Sequence, residues 1–146
     1  GRNLEPPSNT CDYIIHAASP ADPADYSHAP MQTMEDISNG TLAVLSYAKR
    51  TQVQTSLYLS SGAAYGQQPA EVALSEDNMS APDMTDTSSC YGEAKRYAEL
   101  LCRTSSVPTV VARLFAFIGP YQDINASFAV PNFIRQALHD KKIHIH

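Results

Sequence analysis

A chain of 146 residues with 43% hydrophobic content is long enough to bury a sizeable core and suits one folded domain. Its net charge of −5 gives no general pull toward phosphate backbones, which argues against nucleic-acid binding. No run reaches the roughly 18 apolar residues of a membrane span, and Gly1-Arg2-Asn3-Leu4-Glu5-Pro6-Pro7 has no apolar core of a secretory signal, so no membrane partner and a cytoplasmic location are expected.

Residues 1–11 are polar and contain prolines, which predicts irregular structure. Asp12-Tyr13-Ile14-Ile15-His16 reads as a short buried strand. Pro20, Pro23 and Pro30 predict a loop over 19–30. Apolar residues then recur at Met31, Met34, Ile37, Leu42, Leu45 and Ala48, a near-helical spacing that predicts a helix from about Met31 to Arg50. Thr55-Ser56-Leu57-Tyr58-Leu59 reads as a buried strand ending in the pair Ser60-Ser61. Residues 66–88, with Pro69, Pro82 and many Asp, Ser and Thr, predict a long surface loop of the kind that often carries function.

A helix is predicted from about Ser88 to Ser105, with Tyr91, Ala94, Ala98 and Leu101 on one side. Thr109-Val110-Val111-Ala112-Arg113-Leu114 follows as an apolar strand, Gly119-Pro120 breaks it, and a last helix is predicted from about Ser127 to His139. Strands alternating with helices predict an α/β fold with a parallel sheet and right-handed crossovers.

Within this order, Tyr91 and Lys95 stand four residues apart, one helical turn. Positions i and i+4 share a helix face. An ammonium one turn from a phenol favours the ionised form, which suits a tyrosine to acid/base work. YxxxK alone is common and usually marks a solvated face. Its setting raises it: the serine pair stands where the preceding strand ends, and ligands of open parallel sheets bind outside the carboxyl ends of the strands. Ser61 could supply the third polar group.

The chain resembles the extended short-chain dehydrogenase/reductases, the group of NAD-dependent nucleotide-sugar epimerases, dehydratases, decarboxylases and reductases. The resemblance rests on His16-Ala17-Ala18-Ser19 after a strand, Asn39-Gly40-Thr41-Leu42 in a helix, Ser60 to Gly66, Tyr91-Gly92-Glu93-Ala94-Lys95, and Arg113 to Pro120, which is similar to the family's RxFNxxGP. These stand in the family's order over most of residues 12–138.

The resemblance implies the second half of a Rossmann-like parallel sheet with flanking helices. Residues 1–120 would be the C-terminal half of an NAD(P)-binding domain, and residues 121–146 the start of a substrate-binding region. The glycines Gly1, Gly40, Gly62, Gly66, Gly92 and Gly119 form no G-x-G-x-x-G loop for a dinucleotide pyrophosphate, so a middle fragment of a longer enzyme is expected. Such a fragment would bind cofactor poorly and leave one sheet edge uncovered.

The same resemblance implies Tyr91 as the base for a sugar hydroxyl, Lys95 on the nicotinamide ribose, and Ser61 hydrogen-bonded to the reacting oxygen. Ala17, Ala18, Ser19, Ser60, Leu114 and Phe115 would line NAD or NADP. Asn132 and Phe133 would hold the substrate's nucleotide. Blander readings stand beside these: tight packing at Ala17 and Ala18, a strand end at Ser60, a core position for Phe133, a packing role with a carboxylate partner for Arg113, and solvated charges at Glu93 and Arg96.

Dehydratases and decarboxylases of the family place acidic residues just after the catalytic Ser/Thr. Here those positions are Gly62 and Ala63, which cannot titrate. Ala116 replaces the Asn of RxFNxxGP, and Ile37 stands where many members have Asn. The chain therefore leans toward an epimerase or a ketoreductase. The alternatives are a catalytically inactive nucleotide-binding relative, or a module that only forms a homodimer. In the latter, the helices at 31–50 and 88–105 would pair across the dimer, with Leu45, Leu100 and Leu101 turned away from the sheet.

Cys11, Cys90 and Cys102 are odd in number and lack metal-ligand spacing, which reads as three reduced thiols. His144 and His146 are expected to be a strand-like alternation or a terminal remnant, and no metal site is expected.

Overall fold

The computed structural model describes residues 10–20, 22–68, 73–125, 128–139 and 142–143. His144, His146 and most of residues 1–11 lie outside that set.

Three parallel strands form one sheet in the order β1 (Tyr13–His16), β2 (Thr55–Ser61), β3 (Thr109–Leu114). The register pairs Ile14 with Ser56 and His16 with Tyr58, then Tyr58 with Val111 and Ser60 with Arg113. Strand residues alternate faces, so this set shares one side of the sheet. Tyr13, Ile15, Leu57, Leu59, Val110, Ala112 and Leu114 share the other.

Two helices cover the first side. α2 (Pro30–Arg50) starts with a proline in its first turn, where the missing N–H costs nothing, and α3 is Cys90–Thr104. They pack on each other and around Ile37, Leu45, Ala48, Tyr58, Ala94, Ala98 and Cys102. Ala94 and Ala98 are almost wholly buried, and their small side chains let α3 lie close. Tyr91 and Leu101 are half-buried against the same core, as the expected helix face requires.

Three expectations are corrected. Residues 19–30 are not all loop, because α1 spans Pro23–His28. The signal was present: Asp22 accepts from the Ala24 N–H at 2.9 Å, and Asp followed by Pro is a helix-start pattern. Leu45 and Leu101 do not point outward, Leu45 lying in the core and Leu101 half-buried against it, while Leu100 is exposed. The place of Leu45 in the helical period permitted either side; the sheet and α3 decide it. Arg96 is no solvated charge: it donates to Ala64 O at 2.7 Å and, through a second nitrogen, to Ser80 O, besides pairing with Glu93 at 3.2 Å.

The loop after β2 opens with a 3-10 turn (Gly62–Tyr65), and a second (Thr87–Ser89) leads into α3. α4 (Ala129–His139) ends the described helices. Among the described residues no helix is long and apolar enough to cross a membrane.

Candidate functional site

The carboxyl end of β2 and the first turns of α3 meet closely. A Cβ on Gly92 would stand 2.8 Å from Ala63 O, so only glycine lets the helix approach that backbone. Tyr91 and Gly92 share with Ala63, Tyr26 and the 82–89 segment a cleft of about 240 Å³.

Lys95 lies on the same face of α3 as Tyr91. Its Nζ is 5.7 Å from the Tyr91 ring centroid and donates to Leu59 O at 3.0 Å, two residues before Ser61. Lys95 is 3% exposed, and burial pulls its pKa down to about 8 against a smaller opposing pull from Glu99. A lysine with its ammonium anchored to the strand end and its stem in the core is fixed in place before any ligand arrives.

The serine pair divides its work. Ser60 faces the helices and is buried; its hydroxyl donates to Glu99 Oε1 at 2.5 Å. Glu99 also receives Arg113 Nε at 2.9 Å and Nη2 at 2.8 Å, a bidentate pair. Burial alone would raise the Glu99 carboxyl, but the bonds from Arg113 and Ser60 outweigh it and hold it below its ordinary range. Arg113 thus takes the packing role with a carboxylate partner. Its guanidinium also lies 4.7 Å over the Tyr65 ring.

Ser61 ends the strand and caps the turn that follows, accepting from the Ala63 N–H at 3.1 Å. Among the described residues no acceptor takes its own proton.

Ala17 and Ala18 leave β1 exposed at the same sheet end, and Ser19 turns its hydroxyl to Pro20 O at 2.9 Å. Leu114 and Phe115 leave β3 there, partly exposed. The Phe115 ring stacks near Tyr65 at 5.9 Å, and a Cβ on Gly62 would meet it at 2.8 Å. Position 62 therefore has no room for a carboxylate side chain while Phe115 stays where it is. Asn132 and Phe133 lie on α4, where Asn132 Oδ1 accepts from Arg135 at 2.7 Å and Gln136 at 3.2 Å. Among the described residues, no hydrogen bond or ring contact joins them to Tyr91 or Ser61.

Tyr26 was not singled out in the sequence. It projects from α1 and stacks on Tyr91, centroids 4.9 Å apart and planes 16° from parallel. Cys90, beside Tyr91, is buried and its thiol is pushed up mainly by that burial; the three cysteines are unpaired with one another.

Three parallel strands with flanking helices, a strand-end serine and a YxxxK helix against it place the chain in the Rossmann-like α/β class. Residues 5–146 match the NAD dependent epimerase/dehydratase family, and the chain belongs to it. UDP-glucuronic acid decarboxylase 1 of Xenopus tropicalis is 34% identical over 147 residues, covering 98% of this chain and 34% of that protein. UDP-glucuronic acid decarboxylase 6 of Arabidopsis thaliana is 35% identical over 131 residues, covering 87% of this chain and 38% of its own length. The chain thus spans about a third of the curated relatives it matches.

Among solved structures, RMD from Pseudomonas aeruginosa complexed with NADPH superposes with a TM-score of 0.76 at 31% identity, over 92% of this chain and 46% of that one. UDP-glucose 4-epimerase from Thermotoga maritima with UDP-glucose gives 0.78 at 25% identity, over 92% and 44%.

Proposed function

We propose that the chain is part of an NAD(P)-dependent enzyme acting on a nucleotide-sugar, in which Tyr91 takes a proton from a sugar hydroxyl. Residues 1–120 then form the C-terminal half of the dinucleotide domain, and residues 121–146 begin the substrate region. NAD(P), when bound, accepts and returns the hydride. Lys95 holds the cofactor's ribose and keeps a positive charge beside the phenol. Ser61 donates to the reacting oxygen, Ala17, Ala18, Leu114 and Phe115 flank the nicotinamide, and Asn132 and Phe133 serve the nucleotide. Ser60 acts through its bond to Glu99, as a strut of the strand end. The observation that carries the reading is Lys95 anchored to Leu59 O on the Tyr91 face of α3.

Oxidation at a sugar carbon needs one base. Dehydration or decarboxylation by the family's acidic-residue arrangement needs a second titratable group after the serine, and Gly62 and Ala63 offer none. The sequence relatives are named decarboxylases; this chain's residues support epimerisation or ketone reduction instead. The test is to incubate the enzyme carrying this segment with UDP-glucuronic acid and NAD. The expected products keep the carboxylate; rapid release of carbon dioxide would overturn the choice.

The second reading, a homodimer, is favoured by the apolar residues Met31, Met34, Leu42, Tyr97 and Leu100 that α2 and α3 leave exposed. A monomer by light scattering of the same enzyme would remove it.

A further inference from the structure

We propose that Tyr58, a core residue of β2, positions the Lys95 ammonium by holding it against its ring face, so that the cation is clamped between two tyrosines. The inference rests on the reading of Lys95 as the cofactor-side cation. An ammonium has three N–H donors. Among the described residues, only Leu59 O receives one, at 3.0 Å. Two aromatic rings face the rest. Nζ stands 5.2 Å from the Tyr58 centroid and 5.7 Å from the Tyr91 centroid, both within the roughly 6 Å over which a ring quadrupole attracts a cation. Adjacent residues of one strand therefore grip the same nitrogen, one by its ring and the next by its carbonyl.

The charged and titratable groups around it leave this role to the ring. From α3, Glu99 is the nearby carboxylate, but its oxygens are taken by Ser60 and Arg113. From β1, His16 packs on Tyr58 with centroids 5.3 Å apart; burial first, and the Lys95 charge second, keep it below its usual pKa and so neutral. From α2, the polar neighbour among the described residues is the neutral Thr41, which bonds His16 at 3.2 Å and Ile37 O at 2.8 Å. Tyr58 itself is 2% exposed, and burial pushes its phenol well above its ordinary value, so it stays uncharged. Its hydroxyl, near Thr41, is buried with no hydrogen-bond partner among the described residues. What the residue gives to Lys95 is its ring.

The test reads Lys95 directly. The 146-residue chain is labelled with ¹³C at lysine Cε, and the Lys95 signal is assigned against Lys49, Lys141 and Lys142 by its loss in Lys95→Met. Tyr58→Phe should leave the midpoint unchanged. Replacing Tyr58 by phenylalanines with one, two and three ring fluorines, which keep the shape and weaken the quadrupole, should lower it stepwise by about one pH unit in total. Tyr58→Leu should shift it in the same direction, and the fluorinated series decides if that variant does not fold. Identical midpoints across the series would overturn the clamp. The enzyme reading fails separately, through normal turnover of Tyr91→Phe, because the titration needs neither cofactor nor substrate.

Discussion

Glu99 and Arg113 close a bidentate ion pair, Nη2 to Oε2 at 2.8 Å, between α3 and the end of β3, and the third bond of that carboxylate ties in Ser60. Both side chains are largely buried. Breaking such a pair from one side leaves an uncompensated charge, at a cost of about 3 kcal/mol. Glu99→Gln should therefore lower the denaturant midpoint without changing the slope. The sign with pH follows from the depressed carboxyl. Its contribution is complete above the unfolded value near 4.5 and is lost as pH falls through the lower folded value. The native chain should lose stability on acidification below about pH 4.5 more steeply than the variant, as thermal melts across pH would record.

Lys95 behaves in the opposite sense. Its pKa of about 8 in the folded chain lies below the ordinary 10.5, so below pH 8 the burial of the charge opposes folding in full. Between 8 and 10.5 the unfolded chain holds the proton longer, and stability contributed by this residue rises with pH. Lys95→Met should melt higher than the native chain at pH 7, and the gap should close by about pH 10. A gap that widens with pH would contradict the assigned burial.

Tyr91→Phe in the enzyme carrying this segment should lose on the order of 10²–10⁴ in turnover while cofactor affinity is kept. Stopped-flow turnover and cofactor titration, run on the same preparation, separate the two.

Gly92→Ala sets two effects against each other. Alanine favours a helix by about 1 kcal/mol over glycine, yet its Cβ would stand 2.8 Å from Ala63 O. The obstacle is backbone, so it cannot swing aside. The variant should be less stable by about 1–2 kcal/mol by urea denaturation. It should also lose turnover, because the turn that carries Ser61 must move.

The 146-residue chain alone should bind NAD weaker than micromolar and show no turnover, since among its described residues no helix start offers a glycine loop to a pyrophosphate. Titration calorimetry reads this, and a micromolar heat signature would refute it.

Helical periodicity made α2 and α3 legible to within about two residues, and apolar runs did the same for the three strands; β1, expected to be buried, leaves Tyr13 and Ile15 exposed, because α2 and α3 cover only the other side of the sheet. Tyr91, Lys95 and Ser61 were legible by spacing together with strand order. Tyr26 was not: three prolines masked a six-residue helix, and only the Asp22-Pro23 start betrayed it. The bonds made by Arg96 and Ser60 escaped for a different reason. Their partners, Ala64 O, Ser80 O and Glu99, lie 16 to 39 residues away, and no local pattern announces a bond across that distance. Strand alternation sends the Ser60 hydroxyl to the helix side of the sheet, where it meets Glu99.

Tyr13, Ile15 and Val110 stand more than half exposed on the sheet side that α2 and α3 do not cover. Purified by itself, the chain carries two sticky surfaces on opposite sides of one slab. Self-association through the sheet would imitate a helix-mediated dimer in any sizing experiment. Cysteine cross-linking from Leu100 on one side and Val110 on the other would tell which surface had met its twin.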